Sequence, residues 1–361
     1  MLEKSSHVRK HLQGNPLAFH LAPFARSLTE GGYAGGTVEW KLVLLAAFGR
    51  WLRKTGRAVA HLDERCADAF VRQKQCLHGG EVRTLQQFLD HLRKRGVIPN
   101  RNLVRDRSPL AGILNRYETH LRSEQGLATP TILNYQSYVR KFLVERFREG
   151  PFLFRKLKAS DIYDFVLKHG HGMGVRTAQL MTTAFRSFLR YLFQKGKIQA
   201  DLVASVPTVA DWRLATVPKY LTAEEVERLL KACSRRTPIG RRDYAILLLL
   251  ARLGVRAGEV MALQLDDLNW RAGEILVRGK GLFHDRLPLP LEVGEALATY
   301  IQRDRPVCPT RRVFVCMRAP HRELGGPSTM TTIVRRALVR ADLHPALKGP
   351  HLLRHSLATN P

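Results

Sequence analysis

Acidic residues are scarce in this chain. Its 361 residues hold 31 Asp and Glu against 59 Lys and Arg, a formal net charge of +28. A surplus of that size repels itself unless an anionic polymer neutralises it, which makes nucleic acid the expected partner and an anionic membrane surface the weaker alternative. Long apolar runs are missing too. A run such as Ala245 to Ala251 is far short of a bilayer span, and the opening MLEKSSHVRKHL has no apolar signal core. Cysteine is sparse and odd in number: Cys66, Cys76, Cys233, Cys308 and Cys316 lie scattered with no CxxC spacing. That pattern argues against a disulfide framework and against a structural zinc site. Nor is there a stacking-rich sheet motif of the kind that single-stranded RNA binders use. What remains is a globular, basic chain expected in the cytoplasm on DNA, with a basic RNA-binding helical protein as the lesser reading.

What is present first is a repeat. GYAGGTVEWKLVLLAAFGRWL from Gly32 reads like GLATPTILNYQSYVRKFLVER from Gly126, so that Gly32, Thr37 and Phe48 match Gly126, Thr131 and Phe142 at one offset of 94 residues. LDERCADAFV answers LKASDIYDFV, and VRTLQQFLDHLRKRGVI answers VRTAQLMTTAFRSFLRYLFQKGKI. Each copy reads as helix, turn, helix and a third helix closing on Gly96 or Gly196, with Thr37 and Thr131 as expected N-caps. The expected division is an N-terminal helical module over 1–105 and a second module over 106–200. One larger helical bundle is the alternative.

Between Asp201 and Lys219 the periodicity fades around Pro207 and Pro218, as in a linker. A third domain, 220–361, then opens on LTAEEVERLL, where Thr222 and Glu225 have capping-box spacing. YAILLLLARLG reads as a buried helix, followed by a second helix through GEVMALQLDDL. The period then changes to two in EILVRG and RLPLPL, across a turn at Gly279-Lys280-Gly281, with Pro288 and Pro290 confining the returning strand to an edge. Helical patterns resume from Ser328 to Asp342 and from Pro350. The domain is therefore expected to be α+β, mainly helical with one small antiparallel sheet.

Three basic clusters stand out here. Arg256 lies where the chain turns beyond a helix end, Lys280 at a β-turn tip, and His351 and Arg354 three apart on one helical face whose first turn holds Pro350. Each alone has an ordinary reading: an arginine paired with a carboxylate, a solvated lysine, a packed histidine. His351 and His355 have the i, i+4 spacing of a zinc helix, but Leu352 stands where that motif needs glutamate, so no metal or other cofactor is expected. Glu259 reads as an internal pair or a cap.

Taken together and in order, Arg256, Lys280 and His351-x-x-Arg354 resemble the tyrosine recombinase (phage integrase) family, of the Xer-like kind. The matching segments are GVRAGEVMAL, VRGKG and PHLLRHSLAT, and LTAEEVERLL resembles the opening of the family's catalytic domain. The resemblance implies a mainly α fold: two helical, SAM-like core-binding modules followed by an α+β catalytic domain, with residues 106–200 as the core-binding domain and 1–105 as its diverged copy. It also implies site-specific recombination of double-stranded DNA by metal-free transesterification. In that chemistry Arg256 and Arg354 grip one scissile phosphate, His351 acts as general acid/base, and Lys280 protonates the departing 5′-oxygen. Arginine suits the task, since its planar fork binds phosphate oxygens bidentately and keeps its charge.

In the family a tyrosine follows the second arginine by roughly thirty residues and forms a 3′-phosphotyrosyl link. Here seven residues follow Arg354, and all nine tyrosines, Tyr33 to Tyr300, precede it. Tyr244 and Tyr300 fall in apolar-periodic helices and read as packing residues. The expectation is a C-terminally incomplete catalytic domain that binds DNA without cleaving it alone, whether fragment, truncated product or shortened record. A partner protomer supplying the tyrosine in trans, tetramers on paired sites, and a non-catalytic DNA-binding protein derived from a recombinase are the corresponding expectations for partners and function.

Overall fold

Apolar residues spaced three and four apart build most of this chain into helices. The computed structural model describes residues 14–73, 80–100, 108–148, 150–210, 220–279 and 284–359. Two compact units emerge: Met1–Asn100 with Thr216–Pro361, and Arg101–Ala215. The first helical module thus groups with the C-terminal domain rather than with its repeat partner.

In the first module, α1 (Ala18–Glu30) and α2 (Gly35–Lys54) precede a 3-10 turn at Val59–His61, then α3 (Glu64–Gln73) and α4 (Glu81–Lys94). The second repeats that order: α5 (Pro109–Ser123), α6 (Thr129–Phe147), a 3-10 turn at Phe154–Lys156, α7 (Ala159–Gly170) and α8 (Val175–Gln194). Each has its own core, one around Phe24, Phe48 and Phe88, the other around Tyr117, Phe142, Phe185 and Phe188. The helix starts differ from expectation. Ala34 and Ala128 are the N-caps, and the amides of Thr37 and Thr131 bond back to their carbonyls at 2.9 Å. Thr129 and Pro130 carry the first turn of α6, where proline's missing N–H costs nothing, so the helix begins before its apolar stripe does.

One buried position differs sharply between the modules. Lys41, 5% exposed, stands where the second module has buried Tyr135. Its ammonium donates to Thr84 Oγ1 (3.0 Å) and Gln87 Oε1 (2.7 Å) and lies over the Tyr33 ring. Burial, with Arg83 nearby, lowers its pKa.

The C-terminal domain starts with α9 (Ala223–Lys231), whose Thr222–Glu225 capping box is present in both directions. Next comes α10 (Pro238–Arg252), in which every residue from Ala245 to Ala251 is buried. It is the hub of the core, packed by α12 (Leu291–Arg303) and α14 (Pro350–Thr359). The expected helix through GEVMALQLDDL is shorter than the sequence suggests: α11 stops at Ala262. Asp267 accepts the Gln264 N–H at 2.8 Å, and Leu265 N–H bonds to the Arg311 carbonyl, which divert the chain into a 3-10 turn, Leu265–Asp267. A three-stranded antiparallel sheet follows, in the order β1 (Leu268–Asn269), β2 (Glu274–Arg278), β3 (His284–Pro288), with Ile275 opposite Leu287. β3 is an edge strand, with Pro288 as its last residue, while Pro290 caps α12 instead of extending the strand. After α13 (Pro327–Arg340), the described chain closes with α14.

The first module carries a built-in acid sensitivity. His20 and His91 both have lowered pKa values, chiefly through burial and then through Arg95, and His91 Nε2 is enclosed without a hydrogen-bond partner among the described residues. A histidine held neutral in the fold lends full stability above its unfolded value of about 6.5 and loses it as pH falls below that value. Thermal unfolding followed from pH 7.5 to 5 should show a falling midpoint, and His91→Phe should flatten the dependence.

Candidate active site

Beyond α10 the chain turns through Gly254 and Val255 and enters α11 with Arg256 as an extended N-cap. Glu259, three residues on, does both jobs considered for it. One carboxylate oxygen accepts the Arg256 backbone N–H at 2.7 Å, and the other accepts Nη1 of the Arg256 guanidinium at 2.8 Å. The Glu259 side chain is only 9% exposed while that of Arg256 is 55% exposed, so a largely enclosed carboxylate orients a cation that remains open to solvent.

The second box lies on α14. Leu352 and Leu353 drop into the domain core, and Ser356 Oγ accepts the Leu221 N–H at 2.8 Å while donating to the Leu352 carbonyl. These contacts fix the helix against the start of α9 and turn its other face outward. His351 is exposed on that face and Arg354 half-buried. Nη1 of Arg354 donates to the Gly254 carbonyl at 2.6 Å. The two arginine boxes, about a hundred residues apart in sequence, therefore meet: Arg354 is hydrogen-bonded two residues before Arg256.

Lys280 lies outside the described residues. The strand leading toward it is firmly held, since Arg278 at the end of β2 forks onto Asp267, Nη2 to Oδ1 at 2.6 Å and Nε to Oδ2 at 3.3 Å. Asp267 is 3% exposed. This pair, the Gly254 carbonyl bracket and the Ser356 tether were not foreseen from sequence, although the acidic doublet in QLDDL followed by an arginine in a strand was a visible signal for the first. Tyr300 is fully buried, accepts the Val315 N–H and has its pKa pushed up to about 12 by burial. Tyr244 is half-buried under the Arg235 guanidinium. Both are packing residues. Among the described residues, no cluster of three or more His, Cys, Asp or Glu could hold a metal ion.

Residues 219–360 match the phage integrase family, and residues 114–196 match the phage integrase N-terminal SAM-like domain. The "Putative integrase/recombinase y4rA" of Sinorhizobium fredii is 41% identical over 349 residues, 95% of this chain and 84% of the relative. The chain belongs to the phage integrase, or tyrosine recombinase, family. The tyrosine recombinase XerC of Azotobacter vinelandii is 30% identical over 252 residues, covering 68% of this recombinase-family chain and 81% of XerC. Its fold is also that of XerH site-specific recombinase in a post-cleavage complex with a palindromic difH substrate: TM-score 0.54 at 18% identity, covering 68% and 72% of the two chains. Lambda integrase residues 75–356 bound to DNA give a TM-score of 0.52 at 20% identity, with 69% and 85% covered. A mainly helical protein with a small antiparallel sheet is the fold these share. No helix of this integrase-family chain is long and apolar enough to cross a membrane, among the described residues.

The SAM-like module has a surface feature of its own. A groove of about 890 Å³ runs between α5 and α6, lined by Asn115, Thr119, Arg122, Gln136, Ser137 and Arg140 among others. Glu118 lines it too and pairs with Arg122 at 2.9 Å.

Proposed function

We propose that this chain binds double-stranded DNA and holds a scissile phosphate between Arg256 and Arg354, as the phosphate-binding half of a site-specific recombinase. The observation that carries this reading is the bond from Arg354 to the Gly254 carbonyl, which joins the two arginine boxes. Arg256, oriented by Glu259, and Arg354, oriented by that carbonyl, supply two forks of fixed charge for the non-bridging oxygens. Negative charge builds on those oxygens as a nucleophile attacks phosphorus, and preorganised cations lower the barrier. His351, exposed one turn before Arg354, is the general acid/base, and Lys280 the acid for the leaving 5′-oxygen, both by family resemblance. A tyrosine hydroxyl attacking phosphorus would give a 3′-phosphotyrosyl link and a free 5′-hydroxyl, conserving the bond energy for rejoining.

We read neither Tyr244 nor Tyr300 as that tyrosine and take a partner protomer as its source. Tyr300 is enclosed in the core and Tyr244 packs beneath Arg235, which supports this reading. The same observation favours the second reading, a DNA-binding protein that does not cut. Assembly on paired sites is the expected oligomeric form, in keeping with the lambda integrase tetramer on a Holliday junction, whose fold this chain shares at TM-score 0.51.

A suicide substrate, which traps covalent protein–DNA adducts, tests the proposal. The 361-residue polypeptide should shift a duplex carrying its site in a gel and form no covalent adduct. An adduct on this polypeptide would place the nucleophile within it. Duplex affinity that does not fall with added salt would remove the phosphate-binding reading, because each neutralised phosphate releases counterions.

A further inference from the structure

The two helical modules share a plan but not a surface. At the offset of 94 residues, α2 and α6 bury matching positions: Val38 and Ile132, Leu45 and Val139, Phe48 and Phe142. Their outer faces diverge. Where the second module exposes Ser137, Arg140 and Lys141, the first has Val43, Ala46 and Ala47, none of them charged or polar: Val43 is 45% exposed, Ala47 half-buried and Ala46 only 1% exposed.

The segment preceding α1 covers part of this face. Asn15, itself 6% exposed, donates from Nδ2 to the Ala46 carbonyl at 2.9 Å. A Cβ on Gly49 would stand 1.9 Å from Asn15 Oδ1, so the segment lies against α2 at a distance that only glycine allows. The helix surface that is open, polar and basic in the second module is uncharged and apolar here, covered at Ala46 and open at Val43.

The first module's other distinctive contact lies at the end of α1. The His321 N–H of the C-terminal domain donates to the Gly31 carbonyl at 3.0 Å. Gly32 has φ +82°, and a Cβ there would come within 2.1 Å of His321 Cδ2. Its repeat counterpart, Gly126, has φ +61° and nothing within 4 Å of its Cβ position. The turn glycine that the second module uses only for its backbone conformation thus also admits a neighbouring imidazole in the first. His321 is steadied in turn by its Nδ1 contact with the Cys316 carbonyl at 3.1 Å.

We propose that the N-terminal module is a docking module for the catalytic domain, seated by Gly31 and Gly32 against His321, and that it does not grip DNA with the face its repeat partner presents. The docking half stands on contacts within one compact unit. The DNA half rests on the function proposed above.

Paired cysteines in the full chain test the docking. The Cβ position of residue 32 is 3.1 Å from His321 Cγ, which is where the sulfur introduced by His321→Cys would sit. That is close to the roughly 3 Å separating a Cβ from the far sulfur of a disulfide. Gly32→Cys with His321→Cys should cross-link on mild oxidation, read as a linked peptide by mass, whereas Gly56→Cys with His321→Cys should not. Hydrogen exchange on the wild-type chain gives a check free of strain: the His321 amide should be protected, and Gly32→Ala should release it. A missing cross-link together with a freely exchanging His321 amide overturns the docking.

Twin substitutions at exposed, repeat-matched positions test whether this face meets DNA. Ser137→Glu should weaken duplex binding by about tenfold through charge repulsion with phosphate, and Val43→Glu by less than about twofold. Equal losses overturn the claim that this face stays off DNA. Should the wild-type chain fail to bind duplex DNA, the proposed function fails, and the cross-link alone decides the docking.

Discussion

Arg354→Ala is expected to lower DNA cleavage by about 10²–10³-fold in an assay where the tyrosine is supplied, by an extended chain or by a partner protomer. The size follows from what the side chain does. One guanidinium nitrogen is committed to the Gly254 carbonyl, and no carboxylate pairs with Arg354 among the described residues, so its other donors remain free for phosphate. A lysine would keep the charge but presents its donors from one tetrahedral nitrogen, without the planar fork that can face Gly254 and the phosphate together, so Arg354→Lys should recover only a small part of the rate. Duplex affinity should fall by much less than the rate, because a protein with a charge of +28 spreads its binding over many phosphates. Single-turnover cleavage and salt-dependent gel shifts, run on the same variants, separate the two. Equal losses in binding and cleavage would make Arg354 an ordinary phosphate contact rather than part of a site that stabilises developing charge.

The parts of this architecture legible in the sequence are those set by local pattern. The run from Ala245 to Ala251 is apolar on every side and is buried on every side. Thr222 and Glu225 form the box that their spacing suggests, and His351 and Arg354 share a face because three residues make nearly one turn. Misreadings came where a tertiary bond outweighs local pattern. GEVMALQLDDL keeps helical periodicity, yet Leu265 is drawn to the Arg311 carbonyl and the helix ends at Ala262. Thr37 and Thr131 are good capping residues, but the backbone enters each helix earlier, at an alanine. The divergence of the first module was also out of reach. VLLAAFG in α2 announces burial without saying that Asn15, thirty-one residues upstream of Ala46, does the covering. In the candidate active site the order of Arg256 and Arg354 could be read from sequence, while the carbonyl that bridges them belongs to a glycine with no side chain to notice.

Asp267→Ala is expected to destabilise the catalytic domain by about 2–3 kcal/mol, at the lower end for breaking a buried ion pair because the Arg278 side chain is 40% exposed. Two losses combine. The Gln264 N–H loses its acceptor at the point where α11 gives way to the 3-10 turn, and Arg278 loses the carboxylate that holds the end of β2. Asp267→Asn separates them: its amide oxygen can still accept the Gln264 N–H, so it should cost less than alanine, with the remainder assignable to the charge. For a unit of this size the alanine variant should melt lower by roughly 2–4 °C per kcal/mol. Since β2 leads directly into the segment that carries Lys280, a loosened Arg278 should also slow cleavage beyond what the lost stability explains. Measuring the rate well below the melting temperature, where nearly all molecules are folded, isolates that effect. An unchanged rate there would confine Asp267 to holding the fold.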